Sequence, residues 1–292
     1  MLNILNLKLR YCLLLFLLFF AIFQANADDS LTLVRAPWHV KKIATGVRLH
    51  SFSFTEKSLF GANENISFVE VKRGLFSPKF RIAADTKKLI KTSTFAEDNN
   101  AIAAINGNFF NMRDGGSVDF TKVDGAVVNT TTKGQNRLRN FHQKAAVVIE
   151  RKRPAIIKWD GFDNWEDGIS APFVLLNGPL LMLNGIDEKL ADSLSFNTAR
   201  HPRTCLGIKP NGRIIMLVVD GRSENSAGMS LFELAKVMRW LGCVTAINFD
   251  GGGSTTLWTR DKGVVNHPSD NGKWDHNGER KVANVLMIKR GR

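Results

Sequence analysis

The chain has 292 residues, 44% hydrophobic and 23% charged, with 40 lysines and arginines against 27 aspartates and glutamates and a formal net charge of +13. This composition excludes a disordered polyelectrolyte, and three cysteines are too few for a cysteine-rich zinc site or a disulfide-stapled scaffold. The basic residues are scattered and no nucleic-acid-binding motif is present, so anionic glycans, sugar phosphates and membrane surfaces match the charge better than nucleic acid does.

Lys8 and Arg10 precede an apolar run from Tyr11 to Phe23, and Ala25-Asn26-Ala27 puts small residues at the two positions a signal peptidase reads. The pattern predicts a secretory signal peptide over residues 1–27, cut before Asp28. The run is shorter than the roughly 20 apolar residues a spanning helix needs, and no later segment is long enough. The mature chain is therefore expected to be exported, periplasmic or secreted, with no stable membrane span. Removing residues 1–27 leaves 265 residues and a net charge of about +11, and no Pro- or Ser-rich linker or repeat divides them, so one domain is expected.

Short β-rich runs follow: Ile66 to Val71, Phe80 to Ala84, Ala101 to Phe110, Ala145 to Ile149, Phe173 to Leu183, Thr204 to Ile208, Ile214 to Asp220, Val244 to Phe249 and Val282 to Ile288. Several are continuously apolar, which predicts strands covered on both faces by helices. A helix is expected across Lys87 to Glu97. A clearer one follows Gly228, where Ser230 and Glu233 form a capping box, Leu231, Leu234, Ala235, Met238 and Leu241 repeat at helical spacing, and Gly242 is a C-terminal stop. Pro210-Asn211-Gly212 separates two strand-like runs as a hairpin turn does. The expected class is α+β, with mixed, largely antiparallel sheets flanked by helices. Once the signal is removed only Cys205 and Cys243 remain, and they form either a disulfide or two thiols in the core.

Polar clusters interrupt the ends of these runs. In Asp250-Gly251-Gly252-Gly253-Ser254-Thr255-Thr256, three successive glycines forgo side-chain packing and each cost roughly 0.5–1 kcal/mol against alanine in regular structure. The segment is either a backbone nest suited to phosphate or another oxyanion, approached closely by a ligand, or a glycine-rich hairpin turn. Asp220-Gly221-Arg222 repeats the pattern of a strand ending in Asp-Gly. The Ser230 helix runs from the first segment to the second, a connection typical of neighbouring parallel strands, which would set both carboxylates on one rim. Paired carboxylates suit glycoside chemistry. Arg203 and Arg222 offer planar forks for phosphate, with surface ion pairs as the alternative. His201 is either a base or phosphate donor, or structural. Asn106-Gly107-Asn108-Phe109-Phe110, His267-Pro268-Ser269-Asp270 and the buried-type amide Asn284 complete the set, Asn284 either holding the site loop or touching ligand.

With these segments assembled, the chain resembles the phosphodiester glycosidase family. The resemblance rests on Asn106 to Phe110, Arg203-Thr204 with Gly207, Asp220 to Arg222, the Gly228 to Gly242 helix, Asn248 to Thr255, and Pro268-Ser269-Asp270 with Arg280 to Asn284. It marks residues 101–292 as the catalytic region and 28–100 as an N-terminal part that adds little. It implies cleavage of a sugar C1–oxygen bond to phosphate, in a fold of sheets flanked by helices. Bacterial members carry exopolysaccharide labels without a defined substrate.

The expected roles are base or nucleophile for Asp250, with Asp220 as the second carboxylate. Phosphate is expected on Arg203, Arg222, the Gly251, Gly252 and Gly253 amides and Ser254. Asn106, Asn108, Thr204, Thr255, Asp270 and Asn284 are expected at the substrate. No cofactor is implied, although Asp220, Asp250 and Asp270 together could hold a divalent cation such as calcium through oxygen ligands. Two other functions fit the same residues: a non-catalytic binder or assembly factor for anionic polysaccharide, and a phosphodiesterase or sugar-phosphate transferase that cleaves P–O.

Overall fold

A computed structural model describes residues 29–74, 78–134 and 138–291; the expected signal peptide lies outside them. The strand Ile214–Val219 sets the architecture, because Ile214, Met216 and Val218 enter one apolar layer while Ile215, Leu217 and Val219 enter another. A strand apolar on both faces needs cover on both, as its unbroken sequence implied. It sits inside an eight-stranded sheet ordered His39–Ala44, Val47–Leu59, Ala62–Val71, Ile214–Val219, Arg203–Ile208, Thr245–Asn248, Leu180–Leu183 and Ile186–Asp187. Two five-stranded sheets face it. One is ordered Arg153–Lys158, Ala145–Glu150, Phe173–Asn177, Thr121–Val123 and Ala126–Asn129, the other Gly263–Val264, Leu257–Thr259, Ala103–Asn106, Asn284–Lys289 and Lys79–Ala84.

Val69, Met216 and Ile247 of the large sheet, Val147 and Leu175 of the second, and Ile105 and Leu286 of the third meet in one core. All ladders among the described strands are antiparallel, so the fold is the expected α+β type.

Helices cover the outer faces. The Leu231–Trp240 helix starts at Ser230, whose Oγ accepts from the Glu233 amide at 3.2 Å while the Glu233 carboxylate accepts from the Ser230 amide at 2.9 Å, so both bonds of the expected capping box form. Leu231, Leu234, Val237 and Met238 bury its inner stripe. Gly207 lets it settle on the sheet, since a Cβ there would lie 2.3 Å from Met238 Cε and 2.6 Å from Cys243 Sγ. Cys205 and Cys243 are both free and buried beneath this helix, and burial pushes the Cys243 thiol up to about 12, which keeps it inert.

Two expected elements differ. The helix predicted from Lys87 begins only at Thr92, because Asp85 accepts from the Lys87 and Lys88 amides in a turn and Ile90–Lys91 pairs as a strand with Lys281–Val282. The run Phe173 to Leu183 is two strands, in two different sheets, divided at Gly178-Pro179. No helix among the described residues is long and apolar enough to cross a membrane.

Glu64, on the strand beside Ile214–Val219, fastens the loop after that strand: its fully buried carboxylate accepts from the Gly228 amide at 3.1 Å and the Ser226 hydroxyl at 3.2 Å, while Oε1 has no partner. Burial pushes this carboxyl up to about 8 from an ordinary 4.5. Between those pH values the folded chain binds the extra proton, so stability contributed by this group falls as pH rises through the window, by about 1.4 kcal/mol per pH unit. Denaturant titrations between pH 6.5 and 8 should show stability falling as pH rises in the wild type, and Glu64→Gln should lose that fall.

Candidate functional site

The strands Ile214–Val219 and Thr245–Asn248 both pair antiparallel with Arg203–Ile208, so they run parallel to each other with that strand between them. Asp220 and Asp250 therefore share one rim, as expected. The strands are not neighbours, however: the helical connection skips one position, and the strand ends are separated by about 10 Å, two strand spacings.

The third sheet supplies the pin that fixes Asp250. Asn106, at the end of Ala103–Asn106, donates from Nδ2 to the Asp250 carbonyl at 2.7 Å, while its Oδ1 accepts from Thr204 Oγ1 at 2.7 Å and the Thr256 amide at 3.1 Å. The Asp250 amide in turn donates to the Gly107 carbonyl at 3.2 Å. Gly107 packs on Asn284, where a Cβ would lie 1.8 Å from Oδ1, and Asn284 closes a pair with Asn108 through its own amide at 2.6 Å and the Asn108 backbone at 2.9 Å. Asn108 also donates to Thr121 Oγ1 at 3.1 Å and accepts from Ser117 Oγ at 2.7 Å. Asn106, Asn108, Thr204 and Asn284 were expected at the substrate; their polar groups are instead turned to one another, and they hold the loop under Asp250. For Asn284 that is one of the two roles its sequence position left open.

Each glycine after Asp250 is crowded by a different neighbour. A Cβ on Gly251 would lie 2.6 Å from the Pro202 carbonyl, on Gly252 (φ +60°) 3.0 Å from the Arg222 guanidinium, and on Gly253 2.5 Å from Asp270 Oδ1 and 2.6 Å from Arg280 Nη2. The close approach read from the triple glycine is thus made by the protein's own chain and two of its arginines. The expected oxyanion nest is smaller than predicted, because the Gly251 amide donates to Asp250 Oδ1 at 2.9 Å and the Gly252 amide to the Pro202 carbonyl at 2.9 Å.

Burial pushes the Asp250 carboxyl up to about 6, against the opposing pulls of the Ser254 hydroxyl, the Gly251 amide and Arg280, and with a further upward push from Asp119. Asp220 meets a different environment. It is 1% exposed, and its two oxygens accept from Asn65 Nδ2 at 2.7 Å, Asn266 Nδ2 at 2.8 Å and the His267 amide at 3.0 Å, with His267 Nδ1 at 3.2 Å. With both oxygens engaged by protein, Asp220 organises the loop that carries His267, whose ring stacks on Trp274 at 4.0 Å, and is not a free second carboxylate.

The arginines also sort themselves. Arg203 is 1% exposed, with Nε on the Met229 carbonyl at 2.7 Å and Nη2 on the Phe196 and Ala199 carbonyls at 2.8 and 2.9 Å. The phosphate fork expected there is occupied by backbone, and burial lowers the group to about 10. Arg222 is exposed, adopts a left-handed φ of +61° and lies over Gly252 with no ion pair among the described residues, strain of the kind concentrated at functional sites. Burial, then Arg203 and Arg222, lower the imidazole of His201 nearby. Arg280, which residue type and spacing had not singled out for phosphate, pairs with Asp270 over Gly253 through Nε at 2.7 Å and through Nη2.

Ser254, near Asp250, and Thr255 are both buried with hydroxyls that have no hydrogen-bond partner among the described residues, while the Thr255 carbonyl accepts from Asn266 at 3.0 Å. Asp220, Asp250 and Asp270 are not gathered into a cation site: the first is filled by amides, the last is paired with Arg280, and no cluster of three or more metal-ligating side chains occurs among the described residues.

Residues 99–289 match the phosphodiester glycosidase family, and the chain belongs to it. The mouse N-acetylglucosamine-1-phosphodiester alpha-N-acetylglucosaminidase is 30% identical over 184 residues, covering 57% of this chain and 33% of the mouse protein. This chain thus spans about a third of that enzyme's length. Among solved structures, the zebrafish N-acetylglucosamine-1-phosphodiester alpha-N-acetylglucosaminidase catalytic domain, auto-inhibited by its pro-peptide, superposes with a TM-score of 0.65 at 19% identity over 87% of each chain. A hypothetical protein from Synechocystis does so with a TM-score of 0.62 at 15% identity, over 86% of this chain and 63% of its own. At those identities the likeness is one of fold.

A carboxyl whose folded value lies above its ordinary 3.8 favours folding only while protonated, so ionised Asp250 lowers stability above pH 6. Asp250→Asn should raise stability by ~1–3 kcal/mol at pH 8, with the gap closing as pH falls below 4, where both states of the wild type carry the proton. Thermal melts of both proteins across that range check the sign.

Proposed function

We propose that this member of the phosphodiester glycosidase family hydrolyses the bond between a sugar C1 and the oxygen of a phosphodiester, through residues 101–292. The observation that carries the reading is Asp250: a carboxyl held at about 6 by burial, fixed by Asn106 and Gly107, within a turn that Arg222 and Arg280 flank. A pure anion binder has no use for a half-buried acid beside its ligand.

The chemistry follows from the leaving group. A phosphate monoester departs as an anion whose second pKa is about 6, so it is far less basic than the alkoxide an ordinary glycosidase releases. The site must stabilise the charge that develops on phosphate and supply a carboxylate to the cationic sugar carbon or its attacking water. Arg222 has a free guanidinium for the first task, joined by the Ser254 segment and by Arg280, whose charge Asp270 partly offsets. Asp250 performs the second as base or nucleophile. Asp220 acts at one remove, holding His267 and Asn266. These residues do not fix the identity of the sugar, so a panel of sugar-1-phosphodiesters is the appropriate substrate set. The mature protein works after export, in the periplasm or outside the cell, on a glycan of the exopolysaccharide kind; the apolar run and small-residue site of residues 1–27 support that placement.

Turnover in ¹⁸O-labelled water should place the label in the released sugar. Label in phosphate would mean P–O cleavage, and binding without turnover would mean a polysaccharide binder. The kcat/KM should rise with pH through about 6 as Asp250 ionises, and Asp250→Asn should lower it about 100- to 10,000-fold and remove that limb.

A further inference from the structure

Asp119 and His142 form a polar pair beside the Asn106–Phe110 segment, to which Asp250 is pinned. Asp119 is fully buried; its Oδ1 accepts from Gln143 Nε2 at 2.8 Å and lies 3.3 Å from His142 Nε2, while Oδ2 has no partner of hydrogen-bonding geometry. Gln143 is itself fixed, with Nε2 also on the Thr132 carbonyl at 3.0 Å and Oε1 on the Asn140 amide at 2.9 Å. The His142 ring packs on Phe109 at 4.3 Å, two residues beyond Gly107, whose carbonyl receives the Asp250 amide. The pair and Asp250 thus flank one short segment, and the Asp119 charge reaches the Asp250 carboxyl.

A buried carboxylate oxygen without a partner is costly to maintain. Burial pushes the Asp119 carboxyl upward, while the neighbouring His142 and Gln143 pull it down. The His142 side chain keeps 12% exposure and makes no hydrogen bond through Nδ1 among the described residues. An imidazole thus lies 3.3 Å from a buried carboxylate through Nε2, a charge contact without hydrogen-bonding geometry, and its second nitrogen is uncommitted.

We propose that His142, held beside the Asp119 carboxylate, donates a proton to the departing phosphate oxygen in the hydrolysis proposed above, a reading on which this inference rests. In the hydrolytic step the oxygen of water bonds to C1 and its proton passes to the Asp250 carboxylate. The electron pair of the C1–O bond stays on the phosphate oxygen, which takes the Nδ1 proton of doubly protonated His142. Solvent then carries the proton from Asp250 back to the imidazole. Asp119 touches neither substrate nor water and is a positioning residue.

The test compares two sugar-1-phosphodiesters that differ in leaving-group basicity, one releasing methyl phosphate and one releasing 4-nitrophenyl phosphate. His142→Gln should lower kcat about 10-fold on the first, less than a general acid contributes for an alkoxide because phosphate is weakly basic, and only about 2-fold on the second, with KM little changed and an unaltered melting temperature. Asp119→Asn should show the same selectivity in weaker form; should it fail to fold, His142→Gln still decides. Equal losses on both substrates, or wild-type rates on both, would overturn the assignment while leaving the proposed function standing. Wild-type protein inactive on both would overturn the two together.

Discussion

The site depends on the amide of Asn106. One side chain joins the strand Arg203–Ile208 through Thr204, the turn after the glycines through Thr256, and the carbonyl of Asp250, and so ties the large sheet to the third sheet at the point where Asp250 leaves its strand. All of its partners are buried or nearly so, where hydrogen bonds to fixed groups hold geometry and unmade ones are costly. With that pin in place the next three residues have no room for side chains, and two guanidinium groups close over them.

Two aspartates on one rim acquire different characters from their surroundings. Asp220 is buried among amides and a histidine, which replace the water it has lost, and it serves as an anchor. Asp250 is half-buried with fewer donors on its carboxylate, so desolvation wins and its proton is held into the neutral range. Environment separates the anchor from the reactive group, as it does for other carboxylate pairs in glycoside chemistry. Glu64, higher still, extends the pattern: acids around this rim are kept buried at a cost to stability, which is what a site that needs a mobile proton requires.

Much of this was legible in the residues. The capping box, the double-faced apolar strands and the triple glycine each carry a local physical requirement, and each reappears in the structure. What could not be read was direction. Arg203 and Thr204 are adjacent, so in a strand they face opposite sides, and Arg203 is carried to the carbonyls of Phe196, Ala199 and Met229. Asn106 and Asn108 were correctly placed at the loop, but an amide's partner is a property of packing. Asp119 and His142 stand 23 positions apart, with no motif between them, and only the second sheet brings them together beside Phe109. The two carboxylates fell a strand apart because the helical connection passes over Arg203–Ile208, a choice that sequence spacing does not encode.

The claim beneath all of this is that burial holds the Asp250 proton into the neutral range. Carbon-13 NMR of aspartate-labelled protein, with the Asp250 resonance identified by its loss in the asparagine variant, measures that directly. The account predicts a midpoint of about 6; a midpoint in the ordinary carboxylate range near 4 would contradict it.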